Sequence, residues 1–127
     1  MIEALFNQTN YLAAKKVLDA ATLRHEAIAS NLANVETPGY KRLDLAPSFN
    51  SELNRAIAHD DPRQFSAVQP ALQSDPTAVA GTRDGNTVLL ETELLALQQN
   101  TLTHAVSTQL LTGALLKLRL AITGHAS

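Results

Sequence analysis

Ile28-Ala29-Ser30-Asn31-Leu32-Ala33-Asn34-Val35-Glu36-Thr37-Pro38-Gly39-Tyr40-Lys41-Arg42 reads as the end of an amphipathic helix running straight into a tight turn. Pro38 cannot continue a helix, and it biases Thr37 toward extended geometry. Pro-Gly at the central positions is a strong type II turn signal, with Gly39 taking positive φ. Asn34 is placed to finish the helix in a left-handed cap. Tyr40 is expected to pack back on the helix end near Leu32 or Val35. No side chain in this stretch is suited to bond chemistry. Its use is to fix the angle at which a long helix leaves a domain.

Upstream of the turn the apolar residues follow a heptad-like pattern. Ala14, Ala21, Ile28 and Val35 recur every seven residues, with Tyr11, Leu18, His25 and Leu32 as a companion row. One apolar stripe results over residues 8–34, a helix of about 40 Å at 1.5 Å per residue. The other end of the chain behaves similarly. Leu90, Leu97, His104, Leu111 and Leu118 form one row, and Leu94, Thr101, Thr108, Leu115 and Ile122 the other. This seam is apolar at its ends and polar in its middle. Leu102, Val106 and Leu110 lie on a different face, which favours several neighbours over a single partner helix. The residues read as helix packing positions are Leu18, Ile28, Val35, Leu94, Leu97, Leu111, Leu115, Leu118 and Ile122. Asp84-Gly85-Asn86 is a turn signal. The second helix is expected to begin near Glu91, after an extended Val88-Leu89-Leu90, and to end at Gly124.

All five prolines lie between positions 38 and 76. The chain therefore divides into an N-terminal helix over 1–36, an irregular middle over 37–87 and a C-terminal helix over 88–127. The fold class is mainly α, with the long helices pairing as a coiled-coil-like unit and room for a short β element between them. Leu53–Ala58 could form a helical turn or two; the rest of 43–85 has no sustained period. Two helices with a loop-like middle bury little against each other, and ordering each residue costs about 1–2 kcal/mol. The expectation is a protein that becomes fully ordered on assembly.

The bulk numbers restrict function. Of 127 residues 45% are hydrophobic but only 4% aromatic, so an isolated core is expected to lack large aromatic anchors. The formal charge is -2, from 10 basic and 12 acidic residues spread evenly. Nucleic acid is not an expected partner, because phosphate binding needs a concentrated basic footprint. The absence of Cys excludes disulfide and thiolate chemistry. Asn7-Gln8-Thr9-Asn10 interrupts any secretory leader, so the expectation is a chain without a cleaved signal peptide. No apolar run approaches the ~20 residues of a membrane span, and direct lipid insertion is not expected.

Catalytic and metal readings are weak. His25, His59, His104 and His125 show no ligand spacing. Asp60-Asp61 before Pro62 lacks the periodicity of a Ca²⁺ loop and reads as a turn. Ser30, Ser48 and Ser107 stand in no nucleophile context. Glu91 and Glu93 project apart and are expected to be solvated near a helix start. No catalytic residue, metal ligand or cofactor is expected.

The string Ala29-Ser30-Asn31-Leu32-Ala33-Asn34-Val35-Glu36-Thr37-Pro38-Gly39-Tyr40-Lys41 resembles the N-terminal signature of bacterial flagellar rod and hook proteins, A-x-N-L-A-N-x-x-T-P-G-Y-K. Within the flagellar basal-body rod family the chain is similar to the proximal rod member, being short and without a large β-rich insert. Asp84-Gly85-Asn86-Thr87-Val88 resembles the family's D-G-N-x-V segment. Thr108-Gln109-Leu110-Leu111 and Leu118-Arg119-Leu120-Ala121-Ile122 look like that member's C-terminal helix. Gln99-Asn100-Thr101-Leu102 does not match the Q-R-x-Y-x-x-N pattern of the other short rod protein. Glu91 stands where the family usually has Asp, a weaker cap. The resemblance covers both flanks well and the middle poorly.

That resemblance implies a structural subunit whose helices pack around an axial export channel. Asn31, Leu32, Asn34, Thr37, Pro38, Gly39 and Tyr40 would form its assembly motif. Implied partners are further copies, other rod, rod-base and membrane-ring proteins, and the type III export apparatus. The implied place is the periplasmic rod of the basal body. Another secreted helical assembly protein of the rod, hook or type III needle class is the nearest alternative. A wall-cleaving enzyme would need a catalytic carboxylate in a cleft, and a cytoplasmic adaptor would tolerate changes in the turn.

Overall fold

The computed structural model describes residues 9–124. Asn7, Gln8 and His125 lie outside the described residues. Helix α1 spans Thr9–Ala33 and helix α3 spans Leu90–Thr123. Between them come β1 (Leu43–Leu45), α2 (Ser48–His59), a 3-10 turn over Pro62–Ala67 and β2 (Leu72–Ser74). The mainly α class with paired long helices and a small β element is what the structure has.

The two long helices run antiparallel. Asn31 of α1 meets Glu93 of α3, and Asn100 further along α3 meets Ala21 further back on α1. The inner side of α1 is made of small residues: Ala14, Ala21 and Ala27 are buried, with Ile28 and Asn31. The side chain of Asn100 reaches the backbone carbonyl of Ala21 at 2.8 Å, which requires such a close approach. Opposite it, the buried residues of α3 are Glu93, Ala96, Asn100 and Ser107. The pairing seam of α3 is thus small and polar, and does not run along the leucine rows. Leu97, Leu111 and Leu118 sit half-buried at its edges, while Leu94, Leu115 and Ile122 are exposed. Leu18 and Val35 are half-buried and His25 is exposed.

The helix boundaries have local causes. Leu89 is extended and caps α3 with no side-chain bond, so the first turn is stabilised by what packs over it. Gly124 closes the helix in the left-handed conformation, its N–H donating to Leu120 O at 2.9 Å. By length and composition α3 is long and apolar enough to cross a membrane, which corrects the expectation that nothing approaches a span. Its leucines are interleaved with Thr, Gln and Asn, so a search for an unbroken apolar run passes over it.

The middle segment is not the structureless stretch expected from its lack of period. Phe49, Leu53 and Ala56 fall on one side of α2 and are buried. With Phe65, Val68 and Ala20 of α1 they form the main core cluster, flanked by Leu12, Ala13, Val17 and Leu45. Two phenylalanines, each 3% exposed or less, supply the aromatic anchors that composition argued against. The three-residue strands pair antiparallel, Leu43 opposite Ser74 and Leu45 opposite Leu72. Asp60 ends α2 with φ 50°, and Asp61 caps the following turn by accepting from the Arg63 N–H at 3.0 Å. The Asp60-Asp61-Pro62 run is the turn that the sequence reading expected.

Candidate functional site: a polar elbow

The turn forms where expected. Tyr40 N–H donates to Thr37 O at 3.2 Å, and Gly39 has φ 73°. Asn34 finishes α1 differently from the expectation. Among the described residues the only non-glycine with positive φ is Asp60, so Asn34 is no left-handed cap. It works instead through its side chain: Nδ2 donates to Ser30 O at 2.8 Å and Oδ1 accepts from Thr37 Oγ1 at 3.1 Å. An Asn side chain has donors and an acceptor to bridge a helix end and a turn together. Tyr40 does fold back on the helix, by its hydroxyl, which lies 2.8 Å from Ser30 Oγ. Thr37, Pro38 and Gly39 are exposed at the tip, and Leu32 is half-buried beneath it.

Asn31 is fully buried and acts as a one-residue strand edge. Its Oδ1 accepts from Leu43 N–H at 2.9 Å and its Nδ2 donates to Leu43 O at 2.8 Å, tying α1 to β1. The same Nδ2 donates to Glu93 at 3.1 Å, tying both to the start of α3. Asp at this position would lose the donors and set a second carboxylate beside Glu93; an apolar residue would orphan several buried groups.

Asn86 clamps the elbow from the other side. Its Nδ2 donates to Asn34 O (2.9 Å), Val35 O (3.1 Å) and Thr37 O (2.7 Å), while its Oδ1 accepts from Val88 N–H at 2.7 Å. Carbonyls that leave a helix end without partners are satisfied in this way. Thr87 N–H donates to Tyr40 O, and Thr87 Oγ1 accepts from Arg42 N–H at 2.8 Å. Lys41 Nζ adds a bond to Gly85 O at 3.0 Å. The two short motifs of the sequence, one before residue 42 and one at 84–88, are therefore two halves of a single joint.

Beneath the joint lies an ion network centred on buried Arg42 and Glu93, with Asp44, Asp75 and Arg24 partly exposed around them. Arg42, 5% exposed, donates to Asp44 at 2.9 Å, to Asp75 at 2.8 Å and to Glu93. Arg24 of α1 donates to the other side of Asp44 at 2.9 Å. Glu93 is fully buried, against the expectation that it is solvated. Arg42 crosses over the first turn of α3 and pairs with it there. Burial works to lower the pKa of the Arg42 guanidinium, but its bonds to Asp44 and Glu93 outweigh this and leave it raised. Burial pushes the Asp44 carboxyl up, yet Arg24 and Arg42 together hold it below the usual carboxylate value. Asp75 is likewise held low, first by the Thr77 hydroxyl and then by Arg42. Among the described residues no buried side-chain nitrogen or oxygen lacks a partner.

This arrangement holds three chain segments at one angle. Each of its carboxylates is occupied by an arginine or a hydroxyl, and none is poised as a general base over open space. Asn31, Asn34, Thr37 and Tyr40 are joined by hydrogen bonds at the end of α1, with Leu32 half-buried and Pro38 and Gly39 exposed at the tip. Arg42, Asp44, Asp75 and Glu93 were missed, because an ion pair spanning 51 residues leaves no local pattern. Asn86 was in view as part of a turn, with no sign of its reach.

Comparison with known proteins matches the same region. Residues 18–41 match the family model described as flagella basal body rod protein, a span that ends within the elbow. The flagellar basal body rod protein FlgB of Cereibacter sphaeroides is 36% identical over 112 residues, covering 80% of this chain and 84% of that protein. FlgB of Borrelia hermsii is 30% identical over 115 residues, covering 76% and 83%. FlgB of Buchnera aphidicola is 34% identical over a shorter 55 residues, 42% of this chain and 40% of that protein. With 36% identity over 80% of its length to such a relative, the chain belongs to the flagellar basal body rod protein family.

Proposed function

We propose that the chain is a structural subunit of the proximal rod of the bacterial flagellar basal body. It assembles by helix packing around an axial export channel and carries out no catalysis. The observation that carries this reading is the elbow: a helix pair fixed at a set angle to a small module by buried Asn31, Asn86 and the Arg42–Glu93 pair. A rigid joint of this kind suits a part whose orientation is its function.

Its partners are further copies and other rod, rod-base and membrane-ring proteins. The type III export apparatus delivers it unfolded to the periplasmic rod, without a cleaved signal peptide and without direct lipid insertion. The packing positions are Leu18, Ile28, Val35, Leu94, Leu97, Leu111, Leu115, Leu118 and Ile122, of which Leu94, Leu115 and Ile122 are open to a neighbour in the single chain. Basal bodies purified from cells expressing a tagged copy should contain the protein in the rod fraction. Its absence there, in cells that make and export it, would refute the reading, and lysis of purified peptidoglycan by the protein would refute the non-enzymatic part.

A further inference from the structure

Along the module side of the α1–α3 pair runs an open groove. Two hollows of about 810 and 410 Å³ meet at Val17 and Thr103, which line both. The larger one is walled by Ala13, Ala14 and Val17 of α1 and by Leu102, Val106 and Leu110 of α3. From Leu102 to Lys117 it runs for about 22 Å, the length of four helical turns. Leu102, Val106 and Leu110 are each at least half exposed. Gly113 opens the floor, with nothing within 4 Å of where its Cβ would stand.

Lys117 stands at the far end of the larger hollow, and what fills the apolar stretch before it must not bring formal charge, because an unpaired charge is costly to bury. That condition excludes most of the surface of this chain. The exposed side of α1 carries Lys15, Asp19 and Glu26, and that of α2 carries Arg55. Helix α3 differs: from Leu94 to Leu116 it has no Asp, Glu, Lys or Arg. Its row Leu94, Thr101, Thr108 and Leu115 is exposed, repeats every seven residues and is longer than the groove. This row and the groove lie on opposite sides of one helix, since Val106 and Thr108 are about 200° apart at ~100° per residue.

We propose that the groove of one copy receives the Leu94–Thr101–Thr108–Leu115 row of the next copy. The proposal rests on the rod-subunit reading and identifies the surface by which one copy holds another. A contact between two different faces is heterologous: each added copy presents a fresh groove and a fresh row. Growth is then directional, and a symmetric dimer is not its end point. The row is uncharged and long enough to fill the groove, and a second copy is favoured over lipid, as Thr101, Thr108 and His104 would be stranded in hydrocarbon.

The chain has no Cys, so introduced thiols are unique. Val106→Cys, Thr108→Cys and the double variant are expressed in cells, and purified basal bodies are treated with a short bismaleimide. The double variant should give a ladder of covalent multimers, and neither single variant a dimer. The pair Leu110→Cys and Thr101→Cys should repeat the pattern. A dimer from either single variant overturns the proposal, because like faces would then meet. Absence of a ladder from either double variant in basal bodies that contain the subunit also overturns it. If the native protein is missing from basal bodies, the rod-subunit reading itself fails.

Discussion

The two ends of the helix pair are built on opposite principles. Among the described residues of the elbow every buried side-chain nitrogen and oxygen is paired, and the contacts are hydrogen bonds and ion pairs between segments up to 62 residues apart. At the far end Leu102, Val106, Leu110 and Leu115 stand at least half in water. The elbow is finished within one chain, while the far end has apolar surface that one chain does not cover. Directional polar contacts hold an angle, because they lose energy steeply when it changes. Leucine surfaces are tolerant of angle and supply area for association. A part that must arrive with a defined shape and then join a larger body gains from separating the two.

The largest break in this contrast should come from Glu93→Ala. It leaves Arg42 buried without one of its partners, at a cost of about 3–5 kcal/mol by analogy with other buried pairs. Urea denaturation of the purified protein measures it. The same truncation at Leu102, which is 66% exposed, should cost less than about 0.5 kcal/mol. Equal losses at the two positions would erase the distinction between the ends. Gly39→Val comes next. A β-branched residue at φ 73° is strained by roughly 1–3 kcal/mol, and the strain falls on the turn itself. The variant should fold yet fail to enter the rod; a fully motile strain carrying it would count decisively against the turn.

The acid sensitivity of the molecule should lie at the elbow as well. Asp44 and Asp75 have folded-state pKa values lowered from the ordinary 3.8. Such groups contribute stability that is fully present above the unfolded value and is lost as pH falls through the folded one. Stability should therefore drop on acidification below about pH 3.8, and Asp44→Asn should flatten that drop. Leu110→Gln at the far end should leave the slope unchanged. A native-like slope in the Asp44→Asn protein would show that other carboxylates carry it.

How much of this was legible beforehand differs by element. The long helices announce themselves by period, and Pro38, Gly39 and Gly124 mark their ends by backbone chemistry alone. The elbow's tip was readable because a Pro-Gly turn is local. Its interior was not: Arg42 and Glu93 look like ordinary surface charges until the fold brings them together. Asn100 was visible as a polar residue in an apolar helix, but only the close approach to Ala21 explains it. The leucine rows show where spacing stops being informative. Heptad spacing shows that a helix has an apolar face without saying which side its own chain will use. Here α1 is lined with alanines, so small and polar residues of α3 fit against it and the leucines turn outward. Phe49 and Phe65 were undervalued because overall aromatic content says nothing of where a few rings gather.

A smaller effect is expected where the elbow's logic reaches into the shaft. Asn100→Leu removes the bond to Ala21 O and forces a larger apolar side chain into a seam built for close approach. Losing the bond costs about 0.5–1.5 kcal/mol, and overpacking adds to it. Hydrogen exchange along α1 would locate the loosening around Ala21, and unchanged protection there would mean that the seam tolerates leucine.

The smallest effect should be a gain. Gly113 sits inside α3, where glycine costs up to ~1 kcal/mol relative to alanine. A Cβ there meets no atom within 4 Å, so Gly113→Ala should stabilise the isolated chain by that amount in urea denaturation. The groove gives this substitution a second edge. If the open floor at Gly113 serves only the single chain, assembly should proceed as before or better. If a neighbouring helix approaches the backbone at Gly113, the added methyl takes up space the neighbour needs. The same change would then stabilise the monomer and weaken rod incorporation. Opposite signs in the two measurements would mark the far end as a surface shaped for contact, kept less stable than its sequence could make it.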